Sequence, residues 1–406
     1  MKKSLAVALM VLNLLVTVQG YADTESVITL GPRPANLLAS MRPGALKTRL
    51  QSCIHGPFRP SDWSIGHRGA PAQFPEHTRE SNIAAARMGA GILECDVTFT
   101  RDRELVCRHA QDDLHTSTDI LSTALADRCV QPSTATSDNV RVDAQCRTSD
   151  ITLSEFKALR GIQDIVNSAG HSATQYIAGA GEWRKDRFAA TGTLLTHKEH
   201  IELVKSLGLK FMPELKAPVV DMPFEGDYSQ VEYAQQLIDE YKQAGVSPAD
   251  VFVQSFNLDD VLYWIENEPE FGEQAVYLDD SYAIEGWSPS DPSTWRNSMR
   301  ELKSMGINYV APPIWVLLSL EDNRIVPSVY ARRATAAGLK IITWTVERSA
   351  SISSGGGWYY QSVSERLHRD GDVFEVMHAL HREVGVVGIF SDWPATTTFY
   401  ANCFDL

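Results

Sequence analysis

The chain has 406 residues, 44% of them hydrophobic and 22% charged, which is enough apolar material for one large domain or two modest ones. Its formal charge of −14 repels polyanions, so nucleic acid and anionic membrane surfaces are poor partners for it. Any phosphate such a protein handles must be small and locally neutralised.

At the N-terminus, Lys2 and Lys3 precede a mostly apolar run over residues 5–18, and Gly20 and Ala22 are small residues suited to a cleavage site. The run is broken by Asn13 and falls short of the roughly 20 residues that span a bilayer. Residues 1–22 therefore read as a removable secretory signal, and the mature protein as secreted or periplasmic with no stable membrane insertion. A polar leader, residues 23–60, follows, and residues 61–406 read as one catalytic domain. Within it, segments of strand length fall at 65–68, 92–97, 211–216, 251–256, 275–278, 309–311, 341–346 and 387–391. Amphipathic helical stretches lie between them, at 229–244, 295–305 and 329–337 for example, each stopped by a glycine (Gly245, Gly306, Gly338). Eight strands alternating with helices predict an α/β fold, the (β/α)₈ or TIM barrel.

Residues 105–109 form an extra short strand after the second one. It reads as a hairpin partner that returns His109 to the barrel mouth. Residues 110–196 are then an insertion, rich in Ser, Thr, Asp and Gln, with one helical piece at 154–159; over a barrel mouth such a segment is often a lid. Six cysteines in a secreted chain make disulfides plausible. Cys129 and Cys146 bracket a segment that a bridge could clip, and Cys53 and Cys403 lie near the two ends. Cys95 and Cys107 sit on neighbouring strands and read as buried thiols.

The chemistry gathers at strand ends. His67-Arg68-Gly69 closes the first strand; Glu94 and Asp96 share one face of the second at i and i+2, with Cys95 on the other; Glu214 and Lys216 repeat that spacing on the third. In a barrel these positions converge on the C-terminal mouth. Cleaving a phosphodiester requires neutralised oxygens, a base and an acid. His67 and His109 are the acid-base candidates, since imidazole titrates near neutrality. Arg68 and Lys216 would neutralise the phosphate. Glu94, Asp96 and Glu214, three carboxylates without a His or Cys cluster, favour a hard divalent ion, Ca²⁺ first and Mg²⁺ second. Trp344 could cover an apolar or cationic part of a substrate, or belong to the core. The competing reading of the charges is structural, with Arg68 bridging Glu94 or Glu76. His197 and His200 fit the exposed start of a helix.

In this order the motifs resemble the glycerophosphodiester phosphodiesterases. The resemblance rests on His67-Arg68-Gly69, Pro75-Glu76-His77-Thr78, Glu94-Cys95-Asp96-Val97, His109, Glu214-Leu215-Lys216, Ser255-Phe256, Trp344-Thr345-Val346 and Asp392-Trp393-Pro394. It implies a phospholipase-C-like barrel and hydrolysis of small glycerophosphodiesters to glycerol 3-phosphate and an alcohol. It also implies a divalent metal on Glu94, Asp96 and Glu214, and acid-base work by His67 and His109. The family scheme, attack by the substrate's own hydroxyl to give a cyclic phosphate, is implied likewise. His77 stands where the family usually has Asn, and Ala110 where it commonly has Asp, which bears on metal affinity and head-group preference. The alternative is a related barrel phospholipase, phospholipase D-like, acting on sphingomyelin or lysophospholipid.

Overall fold

The computed structural model describes residues 27–130, 144–163 and 191–406, with the backbone of 135–136 and 139–140. The expected signal and part of the insertion lie outside the described residues. Nine strands form one closed sheet: β1 (Ser61–Gly66), β2 (Ala90–Phe99), β3 (Leu105–Cys107), β4 (Lys210–Leu215), β5 (Gln254–Ser255), β6 (Val276–Leu278), β7 (Tyr309–Ala311), β8 (Lys340–Val346) and β9 (Gly388–Ser391). All except β3 run parallel, each beside the next, and β9 and β2 both pair with β1 to close the barrel. All eight expected barrel strands are present, although the fourth is ladder-paired only at Gln254–Ser255, with a single bridge from Val251 to Phe211.

Helices wrap the barrel where their caps allow. Thr196 and Ser229 each make a reciprocal capping box, with Glu199 and Glu232, and so start His197–Leu207 and Gln230–Gln243. The stretch expected from residue 295 begins instead at Met299, because Ser298 and Glu301 supply the capping box there and the preceding turn is a separate 3₁₀ piece, Pro292–Thr294. Ile65, Ile92, Met212, Val276, Leu278, Ala311, Ile342 and Phe390 fill the barrel's interior, and a larger apolar layer lies between strands and helices. The leader packs into that outer layer: helices Arg33–Ser40 and Ala45–Ser52 bury Leu37, Leu38 and Leu50.

β2 outlasts β1, and its free edge at Val97–Phe99 is taken up antiparallel by β3, as expected. The described part of the insertion is a small packed unit on this hairpin. Val106, Leu114, Ile120, Phe156 and Leu194 share a second apolar cluster. Thr148 Oγ1 donates to the Phe99 carbonyl at 2.7 Å, and the Arg101 N–H to that of Ile151 at 2.8 Å.

Three disulfides join Cys53 to Cys403, Cys129 to Cys146 and Cys95 to Cys107. The last corrects the reading of free buried thiols. Cys95 faces away from the barrel interior, and the antiparallel return of β3 brings Cys107 beside it with the Cα atoms 5.3 Å apart. His197 and His200 also differ from expectation, since both are buried: His197 Nδ1 lies 2.8 Å from Glu240 Oε2 and its ring meets Tyr241 at 4.9 Å, both on the helix Gln230–Gln243, while His200 sits beside Cys95 and Cys107 of the β2–β3 hairpin. Among the described residues no helix is long and apolar enough to cross a membrane.

Candidate active site

A cavity of about 500 Å³ opens at the C-terminal ends of the strands, and every residue singled out from the sequence lines it: His67, Arg68, Glu94, Asp96, His109, Glu214, Lys216 and Trp344. The turn after β1 builds its first wall. Arg68 has φ 56° and Gly69 φ 91°, and a Cβ on Gly69 would collide with Ser81 at the start of the helix Arg79–Arg87, so this corner requires glycine. The turn is held by Ser81 Oγ, which accepts from the Ala70 N–H at 2.8 Å. The outcome is that the Arg68 N–H donates to Glu94 Oε2 at 2.7 Å, tying the turn to the carboxylates.

Parallel register sets Asp96 beside Glu214, with Glu94 one pleat earlier. The three carboxylates offer oxygens all within 4.8 Å of one another. Each is buried, and each is treated differently by its neighbours. Burial, then repulsion from Asp96 and Glu214, pushes Glu94 well above the usual carboxylate range. Burial pushes Glu214 up to about 8 despite Lys216, whose Nζ donates to Glu214 Oε1 at 2.5 Å. Asp96 is also penalised by burial, but Lys216 and His77 outweigh that and hold it well below its ordinary value. Such crowding is what a divalent cation would relieve, and the donor set suits one: Asp96 Oδ1 is buried without a hydrogen-bond partner. The other oxygen, Oδ2, lies 2.7 Å from His77 Nε2, so the histidine at the family's Asn position steadies this carboxylate.

His67 Nδ1 lies 2.6 Å from Asp392 Oδ1, and Arg348 Nη1 donates to Asp392 Oδ2 at 2.8 Å. This contact fixes the imidazole and leaves Nε2 for the cavity. Burial lowers His67 to about 4, more than Asp392 raises it. His109 follows β3, held by the Arg108 N–H donating to the Asp96 carbonyl at 2.7 Å. Burial, then Arg68 and Lys216, lower it well below an ordinary imidazole. Arg68 Nη1 donates to Glu76 Oε2 at 2.8 Å, so the structural bridge to Glu76 also exists, within the cavity wall.

Three participants, Asp392, Arg348 and Gln254, carried no role in the sequence reading, and Glu76 entered it only as a structural partner of Arg68. Asp392 was noticed only as part of a motif. Arg348, which also lies 3.5 Å from Glu76, sits just past the end of β8, a position that in a barrel points to the mouth. Gln254 donates to Glu94 Oε1 at 3.1 Å from the end of β5, and Glu76 anchors the arginines. Trp344 is half-buried and lines the cavity with Phe256, Tyr282 and Tyr359.

The fold and site define a (β/α)₈-barrel enzyme with an acidic cluster, two imidazoles and several cations in one mouth. Residues 67–396 match the model of the glycerophosphoryl diester phosphodiesterase family. A glycerophosphodiester phosphodiesterase of Haemophilus influenzae is 24% identical over 359 residues, covering 82% of this chain and 87% of its own. An extracellular protein of Arthroderma benhamiae is 45% identical over 251 residues, 60% of this chain and all of that one. A solved structure from Silicibacter pomeroyi, named for the same family, has the same fold with a TM-score of 0.57 at 18% identity, covering 88% of this chain and 97% of that chain. The chain belongs to the glycerophosphoryl diester phosphodiesterase family and is an enzyme of that class.

Proposed function

We propose that the protein hydrolyses small glycerophosphodiesters to glycerol 3-phosphate and an alcohol, with a divalent cation on Glu94, Asp96 and Glu214 and with His67 and His109 moving the protons. The observation that carries this reading is the convergence of both imidazoles, three carboxylates, Arg68 and Lys216 on one cavity. An all-oxygen donor set favours Ca²⁺, with Mg²⁺ the alternative. When bound, the ion would withdraw charge from a non-bridging phosphate oxygen.

Arg68 and Lys216 hold the phosphate, and Trp344 bounds the substrate on the far side. The glycerol hydroxyl beside the ester carbon attacks phosphorus and gives its proton to His67 Nε2, while the bond to the alcohol breaks and His109, held protonated by the substrate's phosphate anion beside it, protonates the departing oxygen. The cyclic phosphate is then opened by water: His109 takes the water's proton, and His67 returns its proton to the freed glycerol oxygen. Internal attack is favoured because the nucleophile is already in place, at high effective concentration. His67 suits the first step, since donating Nδ1–H to Asp392 leaves a lone pair on Nε2.

The disulfides suit an oxidising compartment, and the similarity to an extracellular protein supports secretion after removal of residues 1–22. The test of internal attack is a substrate whose neighbouring hydroxyl is replaced by hydrogen. It should resist cleavage where the parent diester yields glycerol 3-phosphate. Cleavage of both at similar rates would mean that water attacks directly.

A further inference from the structure

The cavity has two unlike ends. Arg68, Lys216 and Arg348 cluster beside the carboxylates and histidines. Across the barrel, around the ends of β6 and β8, the wall is made of Leu278, Tyr282 and Trp344, with Trp358 behind them. Trp344 and Trp358 stack with centroids 6.0 Å apart at 25°, and the Tyr282 ring meets Trp358 at 5.3 Å and Trp344 at 6.3 Å. The Trp344 N–H donates to the Ala311 carbonyl at 2.8 Å, which fixes the indole. Trp358 is 40% exposed at the rim, carried there by Gly355, Gly356 and Gly357, which all have positive φ.

Behind this wall stand two carboxylates, Asp279 and Asp280, with the Arg296 guanidinium near the second. Asp279 is buried and committed to the Tyr330 hydroxyl at 2.6 Å and the Ser281 N–H at 2.9 Å. Its neighbour Asp280 is half-buried, without an ion pair among the described residues, and after burial it is the largest cause holding the Tyr282 hydroxyl up to about 12. Few hydrogen-bonding groups are available. Of the residues lining this end, Leu278 has no polar side chain and the Trp344 N–H is spent on the backbone, which leaves the Tyr282 hydroxyl.

A polyol head group would strand its hydroxyls against such a wall, and a primary ammonium would strand its N–H groups. A quaternary ammonium has neither and is attracted to ring faces and to nearby carboxylates. Resting on the diesterase reading above, we infer that Tyr282 and Trp344, backed by Trp358, seat a quaternary ammonium on the leaving alcohol, so that the enzyme selects choline-type glycerophosphodiesters over neutral ones.

The test compares kcat/KM of the mature protein for glycerophosphocholine with that for its uncharged isostere, the 3,3-dimethylbutyl ester of glycerol 3-phosphate, and for glycerophosphoglycerol. The choline ester is expected to lead the isostere by about tenfold, the scale of a desolvated cation-π contact. Tyr282→Leu should bring the ratio toward one, and Tyr282→Phe, which keeps the ring, should retain it. Equal efficiency on the two isosteres, or a lead for glycerophosphoglycerol, would overturn the ammonium seat and leave the diesterase standing. Cleavage of none of the three by folded protein would remove the diesterase reading itself, and the seat with it.

Discussion

Asp392→Asn changes almost no volume, yet the geometry predicts a large loss of turnover. The carboxylate faces two donors, His67 Nδ1 at 2.6 Å and Arg348 Nη1 at 2.8 Å, and is fully buried. An amide has one acceptor and one donor end, so it can satisfy only one of these partners as before. The guanidinium is always a donor and takes the amide oxygen; the NH₂ then points at His67 and stabilises the tautomer with the proton on Nε2. That tautomer has no lone pair for the substrate hydroxyl. Removing a positioned base costs about 100- to 10,000-fold, while the exchange of charge-assisted for neutral hydrogen bonds costs about 1–3 kcal/mol of stability. The assay is steady-state release of glycerol 3-phosphate, with circular dichroism and a urea melt to verify folding. A folded Asp392→Asn protein with less than about threefold loss in kcat would refute the base assignment and the role of Asp392 in fixing it.

Other outcomes follow from the same geometry. His109→Ala should lower the single-turnover rate of alcohol release by about 100-fold or more, and most of that loss should vanish for a diester with a highly acidic leaving alcohol that needs no proton; equal losses on both substrates would take His109 out of the acid role. Replacing Cys95 and Cys107 together by Ala opens a bridge between positions 12 apart in sequence, which should cost about 2–4 kcal/mol in urea unfolding; an unchanged midpoint would show that packing alone holds the hairpin. Chelated protein should grow less stable as pH rises toward 8. Glu214 is raised from 4.5 to about 8, so the native state holds a proton the unfolded state has lost, and the stabilisation present below 4.5 disappears as pH climbs through 8. Ca²⁺ should therefore raise the melting temperature more at pH 8 than at pH 6, and an equal rise at both would contradict its placement on Glu214.

Much of this was legible in the sequence because barrel chemistry is periodic. Strand runs ending in His67, Asp96 and Lys216 announce both the fold and the mouth, and the i, i+2 spacing gives the shared face. What stayed hidden depends on contacts between distant segments. Arg348 and Gln254 acquire roles only when strands far apart in the chain close into one ring. The bridge from Cys95 to Cys107 depends on the side of β2 that the hairpin returns to, which composition does not encode. His197 and His200 lie in a polar, well-capped helix start whose sequence looks solvent-facing, and the helix Gln230–Gln243 and the β2–β3 hairpin bury it. His77 could be noted as a departure from its motif, but its contact with Asp96 required the fold.

The proposed activity depends above all on a divalent ion held by the carboxylate cluster. Its most direct test is glycerol 3-phosphate release from glycerophosphocholine by the mature protein with Ca²⁺ or Mg²⁺, after chelation, after adding the ion back, and in Glu94→Gln. Activity should be lost on chelation, recovered with the ion, and reduced by at least about 100-fold in the variant. Full activity in chelator, or a folded Glu94→Gln protein that turns over like the parent, would contradict it.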